Sequence, residues 1–166
     1  MLLKPNIKLD RITEITVDML KKRGITDLLL DVDNTLSTHH GMVLVDGLPE
    51  WISEMQRNGI GLLVLSNSKR KRVEPFAEKI GLPFISLGLK PLFTGFLRGI
   101  KRLGTKRKNA AIVGDQIFTD TLGGNFCGIT TILLTPIKPE SSLRFRFKRK
   151  LEKAVFKIYG IKKTEV

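Results

Sequence analysis

Asp31 and Asp33 stand one residue apart where an apolar run ends, in Leu28-Leu29-Leu30-Asp31-Val32-Asp33-Asn34-Thr35. Ionised carboxylates are costly in such a place unless something pairs with them. Other polar groups follow apolar runs in the same way: Ser66, Asn67 and Ser68 after Ile60–Leu65, Lys90 shortly after Pro83–Leu87, and Gly114, Asp115 and Asp120 after Ala110–Val113. Brought together, these groups would place Asp31, Asp33, Asp115 and Asp120 around one ammonium and several hydroxyls. So much negative charge requires a cation. All the donors are oxygens, with no His or Cys in these segments, so a hard ion is expected and Mg²⁺ is the first choice.

The elements that must position these residues are legible from periodicity. Residues 12–23 have helical spacing and end at Gly24; 48–59 do the same, with Pro49 near the start. A third helix is expected over 68–81, with Pro75 disturbing its interior unless the helix starts later, and a fourth over 93–104. Between them lie five apolar runs at 27–32, 60–66, 83–87, 109–115 and 129–135, while 118–128 reads as a loop and short helix. Strands apolar on both faces that alternate with helices predict an α/β fold with a single doubly wound, Rossmann-like parallel sheet. In such sheets the site forms beyond the carboxyl ends of the strands, where these polar groups fall.

The four groups in this order resemble the haloacid dehalogenase-like (HAD) phosphatases over roughly residues 25–135. Asp31-Val32-Asp33-Asn34-Thr35 matches the first family motif, Ser66 the second, Lys90 the third, and Gly114-Asp115 with Asp120 the fourth. The strings DVDNTL, SNS followed by KRVEPFAE, Lys90-Pro91, VGDQIFTD and GGN narrow this to the YqeG-type family of subclass IIIA, which is related to phosphatidylglycerophosphate phosphatases. The resemblance implies that Asp31 attacks phosphorus and that Asp33 acts as acid and then base. Ser66, Asn67 and Lys90 would hold the phosphoryl oxygens. Mg²⁺ would be held by Asp31, the Val32 backbone carbonyl and Asp115, with Asp33 and Asp120 belonging to the same metal site. A response-regulator receiver domain would instead carry an Asp at the third strand, which this chain lacks.

Thr35 to Ser66 and Ser66 to Lys90 are filled by the flap, one helix and one strand, and by one helix and one strand, so no cap domain fits. An open site suits a phosphate on something bulky: a lipid, a protein or a nucleic-acid end. Formal net charge is +13, and residues 141–166 hold nine Lys/Arg against Glu152 and Glu165, about half the surplus. Leu143, Phe147, Leu151, Val155 and Ile158 recur there every three to four residues, a basic amphipathic helix. It suits an anionic membrane surface, packing on the core, or contact with nucleic acid or protein. The expected division is a core at 1–140 and a basic segment at 141–166.

No run reaches the ~20 apolar residues of a membrane span. The first ten residues lack a signal-peptide core, and one cysteine, Cys127, fits a reducing compartment. A cytoplasmic protein, peripheral to the membrane at most, is expected. His39 and His40 read as exposed flap residues, and the basic run Lys69–Arg72 as a solvated helix face. The preferred function is a Mg²⁺-dependent phosphomonoesterase for a bulky or lipid phosphate such as phosphatidylglycerophosphate. Its alternatives are a nucleic-acid-end or phosphoprotein phosphatase, and a non-catalytic binding protein of the same fold.

Overall fold

Four of the apolar runs become the inner strands of one six-stranded parallel sheet, and the run at 83–87 becomes one of its edges. The computed structural model describes residues 1–38, 43–138 and 143–164, the side chains of 143–146 excepted. Its strands are β1 (Ile7–Leu9), β2 (Asp27–Leu30), β3 (Gly61–Leu65), β4 (Phe84–Ile85), β5 (Ala110–Gly114) and β6 (Thr130–Leu134), in the order β1-β6-β5-β2-β3-β4. The direction of winding reverses at β2, which pairs with β3 on one side and β5 on the other. That reversal opens a crevice at the carboxyl ends of β2 and β5, just where Asp31 and Asp115 emerge.

The helices are α1 (Val17–Lys22), α2 (Leu48–Arg57), α3 (Arg70–Lys79), α4 (Phe93–Leu103), α5 (Leu122–Cys127) and α6 (Leu143–Tyr159). One sheet face is covered by a large cluster that includes Leu28, Leu30, Trp51, Met55, Val64 and Val113. The other is covered by a smaller one around Leu29, Leu63, Phe96, Ile100 and Ile112. Adjacent leucines of β2 thus point to opposite faces, both buried, which is why the run carries no polar alternation.

Three details depart from the sequence reading. The helix expected over 12–23 is broken into a 3₁₀ turn (Ile12–Glu14) and α1, because Thr16 caps α1 through its hydroxyl, which accepts from Met19 N at 3.2 Å. The Ile15 carbonyl left at the break accepts from Trp51 Nε1 at 2.8 Å. Pro75 lies inside α3, on its exposed side, where water can reach the carbonyl that the missing N–H leaves unbonded. The edge strand β1 was not expected at all. It pairs with β6, and the C-terminal segment folds along its other edge: Thr164 N donates to the Lys8 carbonyl at 2.7 Å, and Lys8 N donates to Thr164 Oγ1 at 2.9 Å.

The basic helix α6 packs on the sheet end, with Val155 buried against Ile117 and Leu133. Its apolar residues are divided rather than forming one stripe: Val155 faces the core while Phe147, Leu151 and Ile158 are exposed. Among the described residues no domain is inserted over the carboxyl edge of the sheet, and no helix is long and apolar enough to cross a membrane.

Candidate active site

Asp31 follows β2 directly, and its backbone N–H still bonds the Val113 carbonyl of β5 at 2.9 Å. The chain then turns sharply, with Asn34 in the left-handed region at φ 58°. The Val32 carbonyl, expected to face a metal, is instead committed to this turn. It accepts from the backbone N–H groups of Thr35, Leu36 and Ser37 at 3.3, 3.0 and 3.2 Å. A carbonyl engaged three times has no lone pair directed at an ion, so Val32 is removed from the ligand set.

From β5, Gly114 leads to Asp115, and a single π turn (Ile117–Thr121) carries Asp120 back over the strand end. Gly114 is required by that return: a Cβ built there would lie 2.3 Å from the Asp120 carboxyl carbon. Asp31, Asp115 and Asp120 are all buried, each offering an oxygen within 4.8 Å of those of the others. Lys90, also buried, bridges two of them, donating from Nζ to Asp31 Oδ1 at 2.5 Å and Asp120 Oδ1 at 2.7 Å. Asn67 fixes the Lys90 loop with both ends of its amide. Its Nδ2 donates to the Lys90 carbonyl at 2.9 Å, and its Oδ1 accepts from Lys90 N at 2.7 Å. Ser66 is buried beside them, its hydroxyl accepting from Ser68 N at 3.1 Å.

Asp33 lies outside the three-carboxylate group, at the mouth, where Arg72 donates to it from Nη2 and to Ser68 Oγ from Nη1 at 3.0 Å. Arg72 therefore belongs to the site rather than to a solvated helix face. Two more cations come from α6. Arg149 donates to the Asp115 carboxylate, to the Asp115 carbonyl at 2.8 Å and to Glu152 at 2.7 Å. Buried Glu152 also accepts from Ile117 N at 2.9 Å, which locks α6 onto the π turn. Lys148 donates to Gln116 Oε1. Above the carboxylates is an open cleft of roughly 500 Å³, whose walls include Asp33, Ser66, Arg72, Lys90 and Lys148. His39 and His40 lie outside the described residues.

The charge balance sets the direction in which these groups shift. Three buried carboxylates share two cations, Lys90 and Arg149, and Arg149 is also claimed by Glu152. Burial, reinforced by the nearby carboxylates, pushes Asp31 up to about 7 against the pull of Lys90. Burial likewise raises Asp115 despite Arg149. For Lys90 burial acts downward, but Asp120 and Asp31 outweigh it and hold the ammonium charged. A buried Asp115 Oδ1 has no hydrogen-bond partner among the described residues. Three carboxylates, one orphaned oxygen and no soft donor fit a hard divalent cation.

The sign for stability follows. Between about pH 4 and 7 folded Asp31 keeps a proton that the unfolded chain, at its ordinary value of 3.8, has released. Its contribution to stability is therefore lost as pH rises through that window. A bound cation replaces the proton. Thermal unfolding should show the metal-free protein less stable at pH 8 than at pH 5. Magnesium chloride at ~100 times its Kd should raise Tm by about 5–10 °C at pH 8 and by much less at pH 5. Equal shifts at both pH values would mean that the carboxylates are not where the ion binds.

A family model for haloacid dehalogenase-like hydrolases matches residues 3–128. The chain is 34% identical over 151 residues to the Bacillus subtilis (strain 168) protein named "Probable phosphatase YqeG", covering 91% of this chain and 88% of that one. It is 25% identical over 163 residues to phosphatidylglycerophosphate phosphatase 1, chloroplastic/mitochondrial, of Arabidopsis thaliana, but spans only 47% of that protein's length. Among solved structures, the 4-nitrophenylphosphatase of Thermotoga maritima superposes with a TM-score of 0.60 at 11% identity, covering 74% of this chain and 90% of that one, a likeness of fold. With its carboxylates gathered at the carboxyl ends of β2 and β5, the chain belongs to the haloacid dehalogenase-like hydrolases, close to the YqeG phosphatases, and is a phosphatase of that type.

Proposed function

We propose that this protein is a Mg²⁺-dependent phosphomonoesterase that works through an aspartyl-phosphate on Asp31 and acts on a membrane-lipid phosphate, phosphatidylglycerophosphate being the leading substrate. The observation that carries the chemistry is the group of Asp31, Asp115 and Asp120 under an open cleft, with Lys90 bridging two of the three.

Asp31 attacks phosphorus through one carboxylate oxygen as the bond from phosphorus to the leaving oxygen breaks. Asp33, oriented by Arg72 at the cleft mouth, gives its proton to that oxygen. In the second step Asp33 takes a proton from water, whose oxygen attacks phosphorus and releases phosphate and the Asp31 carboxylate. Lys90 and Ser66 hold phosphoryl oxygens, and Asn67, which fixes the Lys90 backbone, keeps the ammonium on target. Asp31, Asp115 and Asp120 would hold Mg²⁺, which when bound offsets the repulsion between carboxylate and phosphate and polarises the phosphoryl group.

The lipid reading is supported by the absence of an inserted domain over the cleft among the described residues, by the basic helix α6, and by the activity named for the Arabidopsis relative. Phosphate release from phosphatidylglycerophosphate in mixed vesicles tests it, with p-nitrophenyl phosphate alongside. The expected result is release from both with Mg²⁺ and from neither in excess EDTA. Hydrolysis of the small ester alone would leave the phosphatase standing and remove the lipid.

A further inference from the structure

The loop from β4 to α4 carries an apolar surface that the catalytic reading does not use. Leu87, Leu89, Leu92 and Phe93 are each more than half exposed, within seven residues that also contain the buried Lys90. Large apolar residues are usually exposed singly; here four are exposed within seven consecutive residues, at the loop and the first residue of α4. The backbone is held for this arrangement. Leu87 and Leu89 occupy the left-handed region at φ 48° and 54°, which an L-residue with a bulky side chain enters only at a cost. The surroundings impose it: Leu87 N donates to the Ser68 carbonyl at 3.0 Å, Gly88 N to the Ser66 carbonyl at 2.9 Å, and Asn67 clamps Lys90. With the neighbouring backbone anchored inward, the leucine side chains are left outside.

The same hydrogen bonds tie the loop to a cationic one. Ser68 is followed by Lys69, Arg70, Lys71 and Arg72, all exposed, of which Lys69 and Lys71 form no ion pair among the described residues. Exposed apolar side chains and lysines on two segments that also give Asn67, Ser68 and Lys90 to the cleft wall match the order of a bilayer surface, in which acyl chains lie beneath anionic headgroups. We infer that Leu87, Leu89, Leu92 and Phe93 insert into an anionic lipid surface beside the cleft, with Lys69 and Lys71 on the headgroups, so that Lys90 meets a phosphate at the level of the membrane. This contact rests on the lipid reading for its purpose, but vesicle binding tests it without turnover.

The test measures cosedimentation of the full chain with phosphatidylglycerol/phosphatidylcholine vesicles, and hydrolysis of p-nitrophenyl phosphate with no lipid present. Leu87→Asn/Leu89→Asn removes apolar surface at positions whose left-handed backbone suits Asn. Leu92→Ser/Phe93→Ser removes it further along. Wild type should sediment with the vesicles, and each double variant should partition about tenfold more weakly or worse, as expected for two lost apolar side chains. Hydrolysis of the small ester should be unchanged. Vesicle binding equal to wild type in both variants would overturn the inference, as would a wild type that ignores vesicles, which would turn attention to an acidic protein partner. Loss of small-ester hydrolysis in both variants would also overturn it and make the loop part of the catalytic frame. Tight vesicle binding by a wild type that leaves phosphatidylglycerophosphate intact would remove the lipid substrate and keep the docking surface.

Discussion

Asp31→Asn should abolish turnover and at the same time raise the thermal stability of the metal-free protein at pH 8. Activity should fall by about four orders of magnitude or more, since removing a nucleophile removes the pathway. The gain in stability comes from the same carboxylate. Asp31 is buried, close to two other carboxylates, and shares the single Lys90 ammonium with Asp120. An amide oxygen still accepts from Lys90 without bringing a charge out of water. Relief of that desolvation should raise Tm by about 2–6 °C at pH 8 in EDTA. At pH 5 the wild-type Asp31 holds a proton, and the difference should nearly vanish. Melting curves at the two pH values decide it: a variant less stable than wild type at pH 8 would mean that Lys90 already compensates the carboxylates in full. Catalytic competence and stability are opposed at this residue.

Lys90→Met should act in the opposite sense on the fold. The methionine has similar length and suits a buried position, but Asp31 and Asp120 then face each other with no counter-charge. Removing one partner of a buried ion pair costs about 3–5 kcal/mol, and here one ammonium serves two carboxylates. Urea unfolding should show a loss of that size, and phosphatase activity should disappear with it. Adding Asp120→Asn to Lys90→Met should recover part of the stability and none of the activity, since one carboxylate less needs compensation while the phosphate still lacks its ammonium. Additive losses in the double variant would show that the Lys90–Asp120 pair is energetically uncoupled.

The core of this arrangement was legible because it sits where chemistry and periodicity coincide. Asp31, Ser66 and Asp115 each follow a strand buried on both faces, and a carboxylate after such a run has few uses other than binding. β1 was illegible for the converse reason. Ile7-Lys8-Leu9 is three residues long, and its lysine is accommodated by donating to the Leu9 carbonyl and Thr135 Oγ1, which no periodicity announces. The role of Arg72 was hidden inside a run of four basic residues that looks the same whether solvated or paired. Lys148, Arg149 and Glu152 were hidden likewise: spacing revealed that α6 is amphipathic, but not which face would meet the π turn. The Val32 carbonyl is a backbone matter, decided by the turn that Asn34 makes, and side-chain identity says little about it.

The placement of Arg149 has a consequence for how the enzyme is made. β2, β5 and the π turn all precede residue 149 in the chain, so the residues that carry the three carboxylates leave the ribosome before the guanidinium that pairs with Asp115. Until then Lys90 is the cation already placed between two of them. A chain stalled short of α6 would carry Asp115 without the guanidinium that pairs with it in the finished protein.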